Sequence, residues 1–201
     1  MNLPNKITLT RIFMIPVFIV LFYLEVMPYH HIVAAVVFAL AAFTDALDGH
    51  IARSRNLVTN LGKFLDPIAD KVLVSTAFIL LLTSPAVFML SPFGWAGWVT
   101  AAICVSVILA RELIVSGFRM IAAGRNLVLA ADKLGKFKTT AQDVSIFLLV
   151  ASLSFLGYTF GRVIAYIGLA FFALCTVLTV VSGANYIIKN RQVLREAEAE
   201  N

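Results

Sequence analysis

Charged residues make up only 13 % of this 201-residue chain, against 61 % hydrophobic ones, and the mean hydropathy is +0.94. So little charge excludes a soluble globular domain of this length and leaves an integral membrane protein, all-α, as the fold class. Cysteine is nearly absent: Cys104 and Cys175 both lie inside apolar runs without metal-ligand spacing, which excludes a disulfide framework and reads as packing. Missing too is a small-residue cleavage site after the first apolar run, so the amino terminus is expected to stay on the mature protein. No composition shift, low-complexity tract or linker divides the chain, and residues 1–201 are read as a single membrane domain.

What the chain has instead is a series of long apolar runs. About 20 residues are needed to cross a bilayer, and such runs fall at Thr10 to Met27, His31 to Arg53, Lys63 to Ser84, Trp95 to Ala123, Lys136 to Tyr158 and Val163 to Ile188. The pattern predicts six transmembrane helices preceded by a short interfacial helix over Met1 to Arg11, where apolar and polar positions alternate at helical spacing. Of the 16 basic residues, only Arg162 falls among the loops around Pro28 to His31, Pro85 to Gly94 and Gly157 to Arg162. The positive-inside rule therefore places both termini on the cytoplasmic side of the cell membrane. The net charge of +5 thus concentrates on one face, suited to anionic lipid and phosphorylated substrates. Nucleic acid is not expected as a partner, because the aromatic residues lie within the spans. From Lys189 onward the tail has no apolar stripe and is read as solvated.

Four aspartates interrupt this apolar background, all within the stretch Asp45 to Asp70. Ionisable groups at the ends of membrane spans are expensive and usually functional. Residues three and four apart share a helix face, so Asp45 and Asp48 project from one helix, Asp66 and Asp70 from the next. The short polar link between Arg53 and Gly62 makes the two pairs neighbours. Carboxylate pairs on adjoining helices suit hard divalent cations such as magnesium, which are shared with substrate phosphates. Gly49 leaves room for a ligand beside Asp48, and Arg53 offers a fork for phosphate. The plainer reading, interfacial ion pairs with Arg53, Arg55, Lys63 and Lys71, supplies only about 0 to 1 kcal/mol per exposed pair, against roughly 2.5 to 3.5 kcal/mol for each carboxylate at membrane depth. Pro67 either occupies a first helical turn or kinks the third span.

The full pattern, D-x-x-D-G-x-x-A-R, eight residues, G-x-x-x-D-x-x-x-D, occupies Asp45 to Asp70 with all eight fixed positions filled. It resembles the signature of the CDP-alcohol phosphatidyltransferase family. The resemblance implies that Asp45, Asp48, Asp66 and Asp70 hold two divalent metal ions, Mg2+ or Mn2+. It implies further that Asp70 acts as general base and that Gly49, Ala52, Arg53 and Gly62 surround the CDP part of a CDP-linked lipid. Asn5 and Thr8, with Arg11, would close that pocket from the amino-terminal segment.

Basic residues in the fourth and fifth spans extend the likeness. Arg111 lies about two turns deeper than Arg119 on one side of its helix, and paired arginines inside a span suggest an anion site. Together with Glu112, Lys133, and Gly135-Lys136-Phe137-Lys138-Thr139-Thr140, the set is similar to the glycerol-phosphate-using branch of the family, the phosphatidylglycerophosphate synthases. That branch would transfer the phosphatidyl group of CDP-diacylglycerol to glycerol 3-phosphate and release CMP. Arg111, Arg119, Lys133, Lys136 and Lys138 would bind the acceptor phosphate, and the enzyme would be a homodimer. Two alternatives stand beside it: another acceptor (inositol phosphate, serine or phosphatidylglycerol), or a cation-binding membrane transporter.

Overall fold

The computed structural model describes the backbone of residues 3–54, 60–124 and 133–189, and the side chains of residues 9–44, 68–119, 135–186 and 188. Among the described residues the regular structure is all α-helix, with six long helices and one single-turn helix joined by short turns: α1 Leu3–Tyr23, α2 His30–Ser54, α3 Asn60–Thr83, α4 Ala86–Met89, α5 Trp95–Gly124, α6 Lys133–Leu153 and α7 Thr159–Lys189. Each predicted run corresponds to one long helix. The expected separate interfacial helix does not appear as its own element, because α1 continues without a break from Leu3 to Tyr23. No glycine or proline interrupts the junction, and Pro16 lies well inside the helix. Pro67 is in the interior of α3 rather than its first turn, so the carbonyl of Lys63 receives no N–H from it.

Successive long helices run in opposite directions, and one end of the bundle is aromatic. There Tyr23 meets Thr83 through a hydroxyl contact of 2.7 Å, and Trp98 Nε1 donates to the Leu82 carbonyl at 3.1 Å. The Tyr166 hydroxyl donates to the Leu90 carbonyl at 3.1 Å, and Tyr29 packs on Phe155 with ring centroids 5.4 Å apart. Gly94 at φ 53° turns the chain into α5 in a conformation that glycine adopts without strain. The opposite end gathers the carboxy-terminal halves of α2, α5 and α7 with the amino-terminal halves of α3 and α6. Among the described side chains it carries Asp70, Lys71, Glu112 and Lys138.

The interior is built from Phe18, Phe22, Phe38, Phe78, Phe88, Leu81, Ile108 and Leu149, all buried, with alanines such as Ala34, Ala41, Ala77 and Ala165 where helices approach closely. The outside is apolar as well. On α2, Val33, Val36, Leu40 and Phe43 are exposed at helical spacing, as are Ile103, Val107 and Ile114 on α5 and Val163, Val177, Val180 and Val181 on α7. Such an outer face suits hydrocarbon, not water. Among the described residues, α5 over Trp95–Arg119 and α7 over Thr159–Tyr186 are long and apolar enough to cross a membrane, with shorter apolar stretches at Leu9–Tyr23 in α1 and His30–Thr44 in α2.

Helix α6 is different. It packs most heavily on α7 and next on α2, with lesser contacts to α3 and α4, and residues 141–150 are all buried or half-buried. Its central place explains its composition: Lys138, Gln142, Ser145 and Ser152 are buried against other helices rather than facing the outside. Ser145 Oγ donates to the Gly168 carbonyl of α7 at 3.1 Å, the kind of hydroxyl contact that links helices where water is scarce.

Candidate active site

A cavity of about 220 Å3 opens at the basic end of the bundle, among α2, α3, α5 and α6. Its α3 wall carries Asp70, Lys71, Val74 and Ser75, and its α5 wall Leu109 and Glu112. Helix α6 contributes Lys138, Thr139, Thr140, Gln142 and Asp143, and α2 contributes Ala42. Asp70, the last residue of the aspartate pattern, therefore shares a cavity with Lys138.

Helical register ties the cavity to the other aspartates. Ala42 is three residues before Asp45 in the unbroken α2, so the face that opens on the cavity continues toward Asp45 and Gly49. Asp66 is one turn before Asp70 in α3, on the face that carries Asp70 and Val74. The side chains of Asp45, Asp48, Ala52, Arg53 and Asp66, with Asn5, Thr8 and Lys133, lie outside the described residues, as do those of the family glycines' neighbours through residue 67. Gly49 and Gly62 are placed as helical backbone only. Among the described residues no three metal-ligating side chains converge, Asp70 being the one member of the four that is described with its side chain.

Glu112 organises the described part of the site. Its Oε1 accepts from Arg111 Nη1 at 3.1 Å and pairs with Lys138 Nζ of α6. Its backbone carbonyl accepts from Lys71 Nζ of α3 at 3.3 Å and from Ser116 Oγ at 2.6 Å. Arg111 Nη2 reaches on to Ser182 Oγ of α7 at 3.0 Å. Four helices are thereby joined through one residue and its immediate partners. Lys138 is only 2 % exposed, and a buried ammonium is tolerated because this carboxylate neutralises it. An ammonium has three donors, so the pairing leaves Lys138 capacity for a ligand in the cavity.

The predicted anion-binding residues thus divide. Lys138 lines the cavity, whereas Arg111 and Arg119 both face α7, as their shared helix side implies. Arg111 lies over Gly183, where an added Cβ would stand 2.9 Å from its Cγ. The Arg119 guanidinium lies 5.4 Å from the Tyr186 ring centroid, and that ring also meets Phe118 edge-on at 5.9 Å. Lys136 is exposed beside the cavity mouth, where Thr139 and Thr140 donate their hydroxyls to its backbone carbonyl at 2.9 and 3.2 Å.

Sequence reasoning gave Glu112 no role of its own and passed over Gln142. A signal for the second exists: Lys138, Gln142 and Ser145 fall at intervals of four and three, one polar stripe along an otherwise apolar helix.

The family model for CDP-alcohol phosphatidyltransferase matches residues 1–181. A CDP-diacylglycerol–glycerol-3-phosphate 3-phosphatidyltransferase of Bacillus subtilis (strain 168) is 41 % identical, the alignment covering 96 % of this chain and 97 % of the relative. Proteins of the same name from Escherichia coli (strain K12) and Salmonella typhimurium (strain LT2) are each 37 % identical, over 92 % of this chain and 93 % of theirs.

Proposed function

The chain belongs to the CDP-alcohol phosphatidyltransferase family, and from that premise we propose that it transfers the phosphatidyl group of CDP-diacylglycerol to glycerol 3-phosphate, forming phosphatidylglycerophosphate and CMP in phospholipid synthesis. Relatives bearing that activity in their name match nearly end to end. The observation that carries the reading in the structure is the common cavity of Asp70 and Lys138, a carboxylate for a hydroxyl proton and a cation for a phosphate on facing walls.

The protein is a membrane protein. We propose further that all six long helices span the bilayer, with the aspartate end and both termini in the cytoplasm. Helices of 21 to 31 residues are long enough to cross. The aromatic end matches the interfacial preference of Trp and Tyr, and the basic end matches the positive-inside rule. The proposal includes a homodimer, on the strength of the family resemblance.

Asp45, Asp48, Asp66 and Asp70 are the residues that would hold two divalent cations, Mg2+ or Mn2+. An all-carboxylate donor set fits such ions, and Asp70, its described member, lines the cavity. Bound there, the cations would supply Lewis-acid stabilisation of charge on the pyrophosphate oxygens. The chain's own groups do the rest. Asp70 accepts the proton of the attacking primary hydroxyl. Lys138, fixed by Glu112, attracts the acceptor phosphate, while Arg111, Arg119, Lys133 and Lys136 add a positive field around it. Gly49, Ala52, Arg53 and Gly62, with Asn5 and Thr8 of α1, take the CDP moiety. The lipid tails remain in the bilayer and CMP leaves to water.

Release of CMP from CDP-diacylglycerol, measured with glycerol 3-phosphate, inositol phosphate, serine and phosphatidylglycerol in turn, tests the reading. Rapid release with glycerol 3-phosphate alone is expected. Faster release with any of the others reassigns the acceptor. Metal flux into vesicles without CMP release replaces the enzyme by a transporter.

A further inference from the structure

We propose that Gln142 binds the free secondary hydroxyl of the acceptor, so that the cavity selects a polyol phosphate over a phosphate ester carrying one hydroxyl; this rests on the acceptor assigned above. Gln142 lines the cavity and is 4 % exposed. Its Oε1 is buried and accepts no hydrogen bond from the described residues. A buried amide oxygen left without a donor is unfavourable, and such groups are rare unless a ligand or water completes them.

The chemistry of the missing partner follows from the atom. A carbonyl oxygen needs a donor, and an ionised phosphate has none to give, whereas a hydroxyl has one. A hydroxyl also accepts, so it satisfies the amide whichever way the oxygen and nitrogen are turned. Placement agrees. Gln142 follows Lys138 by one turn on the same face of α6, a rise of about 6 Å, comparable to the reach from phosphate to inner hydroxyl in a three-carbon phosphate ester. With the phosphate at Lys138 and the primary hydroxyl at Asp70 on the α3 wall, the middle hydroxyl of glycerol 3-phosphate is left for Gln142. Specificity of this kind is strong because the analogue lacking the hydroxyl leaves the protein group unpaired.

The test uses the full chain in mixed micelles with CDP-diacylglycerol, comparing kcat/KM for glycerol 3-phosphate and for 3-hydroxypropyl phosphate, which keeps the phosphate and the primary hydroxyl. Wild type should prefer glycerol 3-phosphate by about tenfold or more, the value of one hydrogen bond near 1.4 kcal/mol. Gln142→Leu should lose at least about tenfold more with glycerol 3-phosphate than with the analogue, collapsing that preference. Gln142→Asn, which retracts the amide by one methylene and keeps it polar, should collapse most of it and serves if the leucine variant does not fold. Equal losses with both acceptors, or a preference retained in either folded variant, overturns the assignment. A wild type that uses both acceptors equally well overturns Gln142 alone. A wild type inactive with glycerol 3-phosphate overturns the acceptor reading itself, and the assignment with it.

Discussion

Glu112 holds Arg111 and Lys138 on a single carboxylate oxygen, so its removal strands two cations at once, one of them fully buried. Breaking such a pair from one side is destabilising by about 3 to 5 kcal/mol, and the half-open position of Glu112, 20 % exposed, favours the lower figure. Glu112→Ala should therefore lower the melting temperature in detergent by several degrees and weaken glycerol 3-phosphate binding, while Glu112→Gln should lose less stability because it keeps the shape. Thermal unfolding of the two purified variants checks the order. At Asp45 and Asp66 the expectation is the reverse: Asp45→Asn and Asp66→Asn should each abolish CMP release yet leave the fold intact, since charge is lost with little change of volume. Activity within a few-fold of wild type in either variant rejects the metal-ligand assignment. The aspartate pattern could be read as a candidate site from the sequence because its spacing is local and fits a helix, and Asp70, its described member, does line the cavity. The contacts of Glu112 and the place of Gln142 in the cavity could not be read that way, because they depend on which helices adjoin α5 and α6, and no spacing within one helix conveys that.

At the scale of the element, the close seam between α6 and α7 is set by Gly168. A Cβ there would approach Leu149 Cδ2 to 2.9 Å and Leu148 Cβ to 3.2 Å, so Gly168→Leu should push the two helices apart and destabilise by about 1 to 3 kcal/mol. Gly117, in the middle of α5, has nothing within 4 Å of its would-be Cβ. Gly117→Ala should be neutral or stabilising by up to about 1 kcal/mol, the helix-propensity difference. Paired melting curves decide whether close approach, not glycine as such, matters in this fold. Hydrophobic run length located all six long helices because a helix in an apolar setting declares itself by composition. It gave no reason to join the amino-terminal segment to the first span: polar residues there suggested a boundary that the continuous backbone hydrogen bonding of α1 does not make.

For the whole molecule, orientation decides whether the cavity meets cytoplasmic glycerol 3-phosphate. In a background of Cys104→Ala and Cys175→Ala, Phe93→Cys should react with an impermeant thiol reagent added to intact cells, since Phe93 is 76 % exposed at the aromatic end. Lys136→Cys, at the basic end, should react only after the cells are opened. The reverse pattern would put the aspartates on the wrong side for both substrates. Lysine and arginine counts suffice for this expectation because orientation follows loop charge, a property of the chain that needs no knowledge of helix packing.

The central position of α6 bears on how the protein is made. With Lys138 and Gln142 in its first half and Asp143 at its centre, this helix on its own meets an insertion penalty of roughly 2.5 to 3.5 kcal/mol for the central aspartate alone, and lipid offers Lys138 no carboxylate. The groups that shelter these side chains lie on helices made earlier: Lys138 pairs with Glu112 of α5, and Gln142 and Asp143 line a cavity walled by α2, α3 and α5. If the long helices span the bilayer as proposed, newly made α6 can therefore dock on α2, α3 and α5 as it leaves the translocon, without waiting for α7. Tyr158→Cys, exposed in the turn between α6 and α7, should accordingly be reached from outside the cell both in the full chain and in a chain stopped at residue 160.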